Sequence, residues 1–214
     1  TEYVTSSNGD IVTLTLTNVD LQLFKDHYNI EYIKYHNGWK FKGIKGLFRD
    51  YIDKWTTVKI ESKKQNNLAM YRISKLMLNS LYGKFGLNPN IRSKYPELDE
   101  NGIITYKFYE KEIREPVYIP MAAFITSYAR YKTITTSQSI KTYSILNYGE
   151  DKYVYSDTDS IHTTITDTEE LKKFVDIDDY RLGAWKLESQ YTKGNYLRAK
   201  SYIELSPEGK LNCT

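Results

Sequence analysis

From Ile119 to Tyr148 the sequence runs for thirty residues without a glycine, and its apolar positions recur with a helical period. Threonines in this run are β-branched and weaken helix propensity without removing it, so the segment is expected to be one long helix. Immediately after it, "KYVYSDTDSIHTTIT" alternates before and after Asp157 and Asp159, the pattern of two strands joined by a tight turn. A long helix leading straight into a short hairpin points to an α+β chain, with the two aspartates at the hairpin tip.

Other segments read as follows. "TSSNGDI" is a turn signal and "VTLTLT" alternates like a strand, so the front of the chain is expected to be a hairpin. "NVDLQLFKDHY" carries Leu21 and Phe24 at helical spacing behind Asn18, a candidate N-cap. "EYIKYHNGWKFKG" alternates around Asn37-Gly38, a two-residue hairpin signal. Leu47, Phe48, Tyr51, Ile52 and Trp55 predict an amphipathic helix to about Lys59; the polar "ESKKQNN" reads as a gap, and a second helix carries Leu68 to Tyr82 and stops at Gly83 or Gly86. A small β region around Asn101-Gly102 follows. Beyond the aspartates, a helix is expected near "DTEELKKFV", and strands in "LGAWKLES" and "AKSYIEL".

Composition narrows the class. With 40% hydrophobic residues in 214, the chain can bury a core of one or two domains and is not a disordered sequence. Its 21 tyrosines suit half-wet surfaces such as a binding groove. The single cysteine, Cys213, excludes an internal disulfide or a cysteine-held metal cluster, and a reducing cytoplasm is the default. "VYIPMAAFITSYA" is too short and interrupted to span a bilayer, and nothing near Thr1 resembles a signal peptide, so a soluble protein is expected. The net charge of +3 is unevenly spread: Gly38 to Tyr95 holds 13 Lys/Arg against 3 Asp/Glu, a balance of +10. That segment is either a solvated helix face or a polyanion-binding surface.

Two groups of residues could carry chemistry. Asp157 and Asp159, one threonine apart, could present oxygens to a hard cation such as Mg²⁺, which takes one or two carboxylates plus a substrate phosphate; they could equally form a capped Asx-type turn. In "KLMLNSLYGKFG", Lys75, Asn79 and Tyr82 fall at i, i+4 and i+7 on one helix face. Such a stripe could hold a phosphate on the lysine and stack a base or sugar on the ring, with Gly83 admitting another backbone, or it could be a solvated face.

Taken together, "KLMLNSLYGKFG" resembles motif B and "YSDTDSIH" resembles motif C of family B DNA polymerases, specifically the protein-primed polymerases of bacteriophages and linear plasmids. The resemblance runs from about Asn18 through Tyr202, with "GLFRDYIDKW", "EPVYIPMAAFITSYAR" and "YLRAKSYI" in the family's order. It implies an antiparallel palm sheet carrying the motif C hairpin, antiparallel helical fingers and small β insertions. By position, residues 1–45 would hold the end of a terminal-protein-type insertion and a palm strand, 46–86 the fingers, and 87–115 a β-hairpin insertion serving strand displacement and processivity. Residues 116–190 would be palm and 191–214 the start of a thumb.

The resemblance also implies site roles. Asp159 matches the aspartate that binds metal directly, Asp157 its more weakly coupled partner, and Tyr155 a tyrosine beside the site. Lys75 and Lys59 match lysines on the incoming triphosphate; Asn79 and Tyr82 match residues lining the nascent base pair; Gly83 and Phe85 lie beside the template. Lys200 and Tyr202 match a Lys-x-Tyr motif at the primer terminus, and Arg130 a palm arginine that could equally make a structural salt bridge. Two Mg²⁺ ions, with Mn²⁺ as a substitute, primer-template DNA, dNTP and a terminal priming protein are the implied cofactors and partners, for a monomer in the host cytoplasm with no membrane.

Departures from the family pattern shape the expectation. No "Asp-x-x-Ser-Leu-Tyr-Pro" motif A precedes motif B, and the acidic motifs of a proofreading exonuclease are absent. The stretch between Lys59 and Lys75 is longer than in the family. The chain is therefore expected to be part of a longer or split polymerase, to depend on a missing N-terminal part, and not to extend a primer alone. Two other readings remain open: a non-catalytic DNA-binding module, and a module docking a priming protein through Thr1 to Lys45.

Overall fold

The computed structural model describes residues 6–115 and 117–213. Along the chain come α1 (Asn18–His27), α2 (Arg49–Lys64), α3 (Leu68–Phe85), β1 (Asn90–Ile91), β2 (Lys94–Leu98), β3 (Ile104–Phe108), β4 (Glu112–Ile113) and α4 (Ile119–Tyr148). Then follow β5 (Tyr153–Asp157), β6 (Ser160–Thr163), the single turn α5 (Thr168–Leu171), β7 (Lys193–Arg198), β8 (Ser201–Leu205) and β9 (Leu211–Cys213). All strand pairs between these elements are antiparallel: β1 with β4, β2 with β3, β5 with β6, and β7-β8-β9 in one three-stranded sheet. This is the expected α+β class.

Helix α4 is the spine, roughly 45 Å long at 1.5 Å per residue. Pro120 sits in its first turn, where a missing N–H costs nothing. It ends because Gly149 takes a left-handed φ of 75° and returns its N–H to Ile145 O at 3.0 Å. Thr126, Thr135 and Ser139 satisfy their hydroxyls on carbonyls one turn back, which is how a helix rich in such residues persists. Its fully buried side chains include Ser127 and Ser144, small enough to let neighbours approach closely.

Those neighbours surround α4. At one end Gly86 brings the α3 terminus so near that an added Cβ would meet Ala122 Cβ at 3.1 Å. Ile140 forms a core with Ile165, Leu171 and Val175, and Tyr153, Ile161 and Trp185 pack against it. Trp185 also donates its indole N–H to Thr136 Oγ1 at 3.2 Å. Helix α1 docks through Asp20, whose carboxylate accepts from Ser127 Oγ (2.5 Å), from Arg130 Nη2 (2.8 Å) and from Thr17 Oγ1 (3.1 Å). Arg130 therefore makes a structural salt bridge.

Helices α2 and α3 run antiparallel, joined at Gln65–Asn67, with Tyr51 OH donating to Met77 O at 3.0 Å and the Phe48 and Phe85 rings 5.6 Å apart. Asn67 caps α3 by accepting from the Met70 N–H at 3.1 Å. The β2–β3 hairpin forms around Asn101-Gly102 with register Leu98↔Ile104 to Lys94↔Phe108, closed by a five-residue loop, 99–103, in which Gly102 has a φ of 74°.

Several expectations fail. The polar "ESKKQNN" is not a gap: α2 continues to Lys64, since Glu, Lys and Gln are good helix formers however polar, and this extra length of α2 absorbs much of the long stretch between Lys59 and Lys75. Asn8 and Gly9 make a turn, but 11–17 form no strand, and the other arm of that hairpin lies in residues 1–5, outside the described residues. No hairpin forms around Asn37-Gly38, and no palm strand is found in 6–45. "LGAWKLES" contributes one bridge, Ile177↔Trp185, while β7 and β9 were not expected.

Alternation without a partner leaves apolar groups in water: Trp39 is 90% and Ile11 82% exposed. The whole chain exposes 17391 Å², against about 10,000 Å² for a compact monomer of this size. No helix among the described residues is long and apolar enough to cross a membrane.

The Asp20 hub gives a pH-dependent prediction. Burial raises the Asp20 pKa, but hydrogen bonds from Arg130, Ser127 and Thr17 and the Arg130 charge outweigh it, so the folded value lies below the ordinary one. Folding therefore favours the ionised form; its contribution is complete above about pH 5 and disappears as pH falls through the folded value. Asp20→Asn should cost about 1–3 kcal/mol at neutral pH by chemical denaturation of the full protein, and the gap to wild type should narrow in acid. An equal gap at all pH values would refute the charge-based account.

Candidate functional site

Pairing of Asp157 with Ser160 across β5 and β6 leaves Thr158 and Asp159 as a two-residue tip. Thr158 has a φ of 50°, a left-handed conformation that strains a β-branched residue. Two bonds hold Thr158, its hydroxyl donating to Asp157 Oδ1 at 2.9 Å and its carbonyl accepting from Thr133 Oγ1 of α4 at 3.0 Å, and Ser160 Oγ closes the turn by donating to Asp157 O at 3.1 Å. The tip is thus fastened to the spine helix.

The two aspartates differ in company. Asp157 is mostly covered, and its Oδ1 accepts from Lys200 Nζ at 2.7 Å. The Lys200 hydrogen bond, with that from Thr158, holds its carboxyl below the ordinary carboxylate range. Asp159 is exposed and has no hydrogen-bond or ion-pair partner among the described residues. The capped turn and the free carboxylate are both present, one at each aspartate.

Asp159 faces an open cleft of about 860 Å³ between the hairpin and the α2–α3 pair, lined on the helical side by Lys59, Lys63, Tyr71 and Lys75. Ammonium groups far upstream in the sequence thus share one space with a carboxylate, an arrangement able to hold a polyphosphate on one side and a cation on the other. Lys63 and Tyr71 were missed by sequence reasoning, although each stands one helical turn from an identified lysine, which is the signal that could have found them. Asn79 and Tyr82 are exposed on α3 but do not line this cleft. At Gly83 an added Cβ would meet nothing within 4 Å. Phe85 is partly buried against Phe48.

Beneath the tip lies an aromatic cluster that ties the hairpin to the β7–β8 pair. Tyr155 has its ring centroid 5.1 Å from Tyr196 and 5.5 Å from both Tyr202 and His162, and its hydroxyl accepts the Lys200 N–H at 2.9 Å. Tyr196 donates to Tyr191 at 2.7 Å, and burial above all pushes the Tyr196 hydroxyl pKa well upward. Gly194 makes room for these rings, since a Cβ there would lie 2.9 Å from Tyr196 and 3.1 Å from Tyr191. His162 Nδ1 lies 3.0 Å from Glu204 Oε1 and 3.0 Å from the Tyr196 hydroxyl. Glu204 carries no sequence motif that would have marked it, and His162, although it ends "YSDTDSIH", was assigned no role from the sequence.

Among the described residues no three His, Cys, Asp or Glu side chains gather as a metal-binding group. The free oxygens of Asp159 suit a hard cation, while those of Asp157 are partly committed to Lys200. These carboxylate oxygens fit one or two of the positions that a hard cation such as Mg²⁺ takes from protein.

Known proteins resemble this chain in sequence and in fold. The family model for type B DNA polymerases of organelles and viruses matches residues 1–177. The DNA polymerase of Bacillus phage phi29 is 45% identical over 203 residues, covering 95% of this chain and 33% of that protein. That of Streptococcus phage Cp-1 is 39% identical with the same coverage. The structure of phi29 DNA polymerase complexed with primer-template DNA and incoming nucleotide matches with a TM-score of 0.81 at 42% identity, covering 99% of this chain and 37% of that one. The chain spans about a third of the length of the relatives it matches.

Strain at the tip is testable. Asn tolerates the left-handed region better than Thr, so Thr158→Asn should raise the stability of the full protein by about 1 kcal/mol. A lower melting temperature would show that the Thr158 contacts outweigh the strain.

Proposed function

Because this chain belongs to the type B DNA polymerases of organelles and viruses, we propose that it is the fingers, part of the palm and the start of the thumb of a protein-primed DNA-directed DNA polymerase. The cleft between α2–α3 and the β5–β6 hairpin is where a nucleotide is added to a primer end. The observation that carries this reading is the meeting of Lys59, Lys75 and Asp159 around one cleft, from helices and a hairpin remote in sequence.

Asp159, and more weakly Asp157, would hold Mg²⁺ or Mn²⁺, which when bound supplies electrostatic stabilisation for attack of the primer hydroxyl on the nucleotide. Lys59 and Lys75 neutralise and orient the triphosphate as point charges. Asn79 and Tyr82, exposed on the same helix, line the nascent base pair, and Tyr155 supports the site from below. Gly83 and Phe85 lie beside the template, with the open space at Gly83 left for it. Lys200 and Tyr202 meet the primer terminus. The basic segment from Gly38 to Tyr95 binds the backbone of nucleic acid by charge. The β2–β3 region serves strand displacement. Residues 1–45, with their exposed aromatic and aliphatic side chains, contribute to docking the terminal priming protein.

The remaining metal-binding carboxylate and the exonuclease belong to an N-terminal part that this sequence does not include, so this chain alone does not extend a primer. The working assembly is a monomer in the host cytoplasm. A non-catalytic DNA-binding module is the rival reading, favoured by the same basic segment.

One experiment separates them. In the full polymerase, Asp159→Ala should lower primer extension with Mg²⁺ by about 10³-fold or more and leave primer-template binding intact. Normal synthesis by that variant would favour the rival, and processive synthesis by the isolated chain would overturn the expectation of inactivity.

A further inference from the structure

We propose that Asp157 is a positioning residue on the primer side of the site: its carboxylate holds the Lys200 ammonium ready for a nucleic-acid contact, and the metal falls mainly to Asp159. The proposal rests on reading the β5–β6 hairpin as a polymerase metal site.

Geometry separates the two carboxylates despite their adjacency. Asp159 lines the cleft together with Lys59 and Lys75, and Asp157 is not among its lining residues. The Asp157 side chain is 19% exposed, and its Oδ1 takes both Lys200 Nζ at 2.7 Å and Thr158 Oγ1 at 2.9 Å. A divalent ion reaching that oxygen would have to displace an ammonium already in contact. Asp159 presents no such obstacle.

Lys200, for its part, is held more firmly than an exposed lysine would be. It sits between β7 and β8 with a φ of 60°, and its backbone N–H donates to Tyr155 OH at 2.9 Å. The same strand, β5, thus grips both its backbone and its ammonium, while its side chain stays 70% exposed. An ammonium has three donors: one goes to Asp157, a second lies 3.3 Å from Thr158 Oγ1, and one is left for a ligand. A lysine stem loses rotamer freedom on docking, and a preformed ion pair removes part of that loss before the nucleic acid arrives.

The full polymerase provides the test through two independent readings, Mn²⁺ binding followed by electron paramagnetic resonance without DNA, and steady-state KM and kcat for primer-template. Asp159→Asn should weaken Mn²⁺ binding about tenfold or more. Asp157→Asn should leave Mn²⁺ affinity within about twofold yet raise the primer-template KM about tenfold, as loss of a charge-assisted bond predicts. Lys200→Gln should match that rise, the double variant should be no worse than either single one because the two act as a unit, and Asp157→Glu should recover part of the loss. Asp159 and Lys200 are exposed, and Asp157 lies at the end of β5 outside the Ile140 core, so thermal unfolding of each variant should stay close to wild type. Equal loss of Mn²⁺ binding in Asp157→Asn and Asp159→Asn, or additive KM effects in the double variant, would overturn the proposal. An Asp159→Asn protein that binds Mn²⁺ and synthesises DNA normally would instead remove the metal-site reading itself.

Discussion

Close packing on α4 is the condition on which every other part of the site depends. A thirty-residue helix can anchor three separate structures only if its neighbours come near it, and small buried side chains make that approach available. Ser127 accommodates α1 and the Asp20 carboxylate, Ala122 meets Gly86 at the end of α3, and Ser144 accepts the Lys152 N–H that starts the path into β5. Ile140 then supplies the apolar contact that seats the hairpin and α5 on the same helix. The bond from Thr133 to the carbonyl of Thr158 is the last link, fixing the tip that carries both aspartates.

Electrostatics works within that frame. The +10 balance of Gly38 to Tyr95 becomes useful because α2 and α3 turn Lys59, Lys63 and Lys75 toward a space whose opposite wall bears Asp159. At exposed sites isolated charges are weak and easily screened; several of one sign facing a cleft are what a polyphosphate requires. Asp157 differs from Asp159 in this respect, since it is paired with Lys200 and does not stand alone.

How much could be read beforehand depended on the range of the forces involved. The long helix, the aspartate hairpin and the Asn101-Gly102 hairpin were legible because each is specified by neighbours in sequence: helical period, a two-residue turn, a glycine free to take a positive φ. The alternating "VTLTLT" and "EYIKYHNGWKFKG" were misleading for the converse reason. Alternation describes a strand only when another strand is beside it, and among the described residues none is, which leaves Ile11 and Trp39 in solvent. Polarity misled at "ESKKQNN", where helix propensity outweighed it, and Gly194 concealed β7 because its lack of a side chain serves the packing of Tyr191 and Tyr196.

By itself the sequence determined the order of the motifs, the helix that carries Lys75, Asn79 and Tyr82, and the tip that carries Asp157 and Asp159, since these follow from local periodicity and turn chemistry. Only the tertiary structure decided which of those groups meet. It brought Lys59 and Lys75 to Asp159, set Arg130 on Asp20 as a structural partner, and gave Asp157 to Lys200. Such pairings depend on the closure of long stretches of chain around α4, and no local pattern records which residues that closure will place at contact distance.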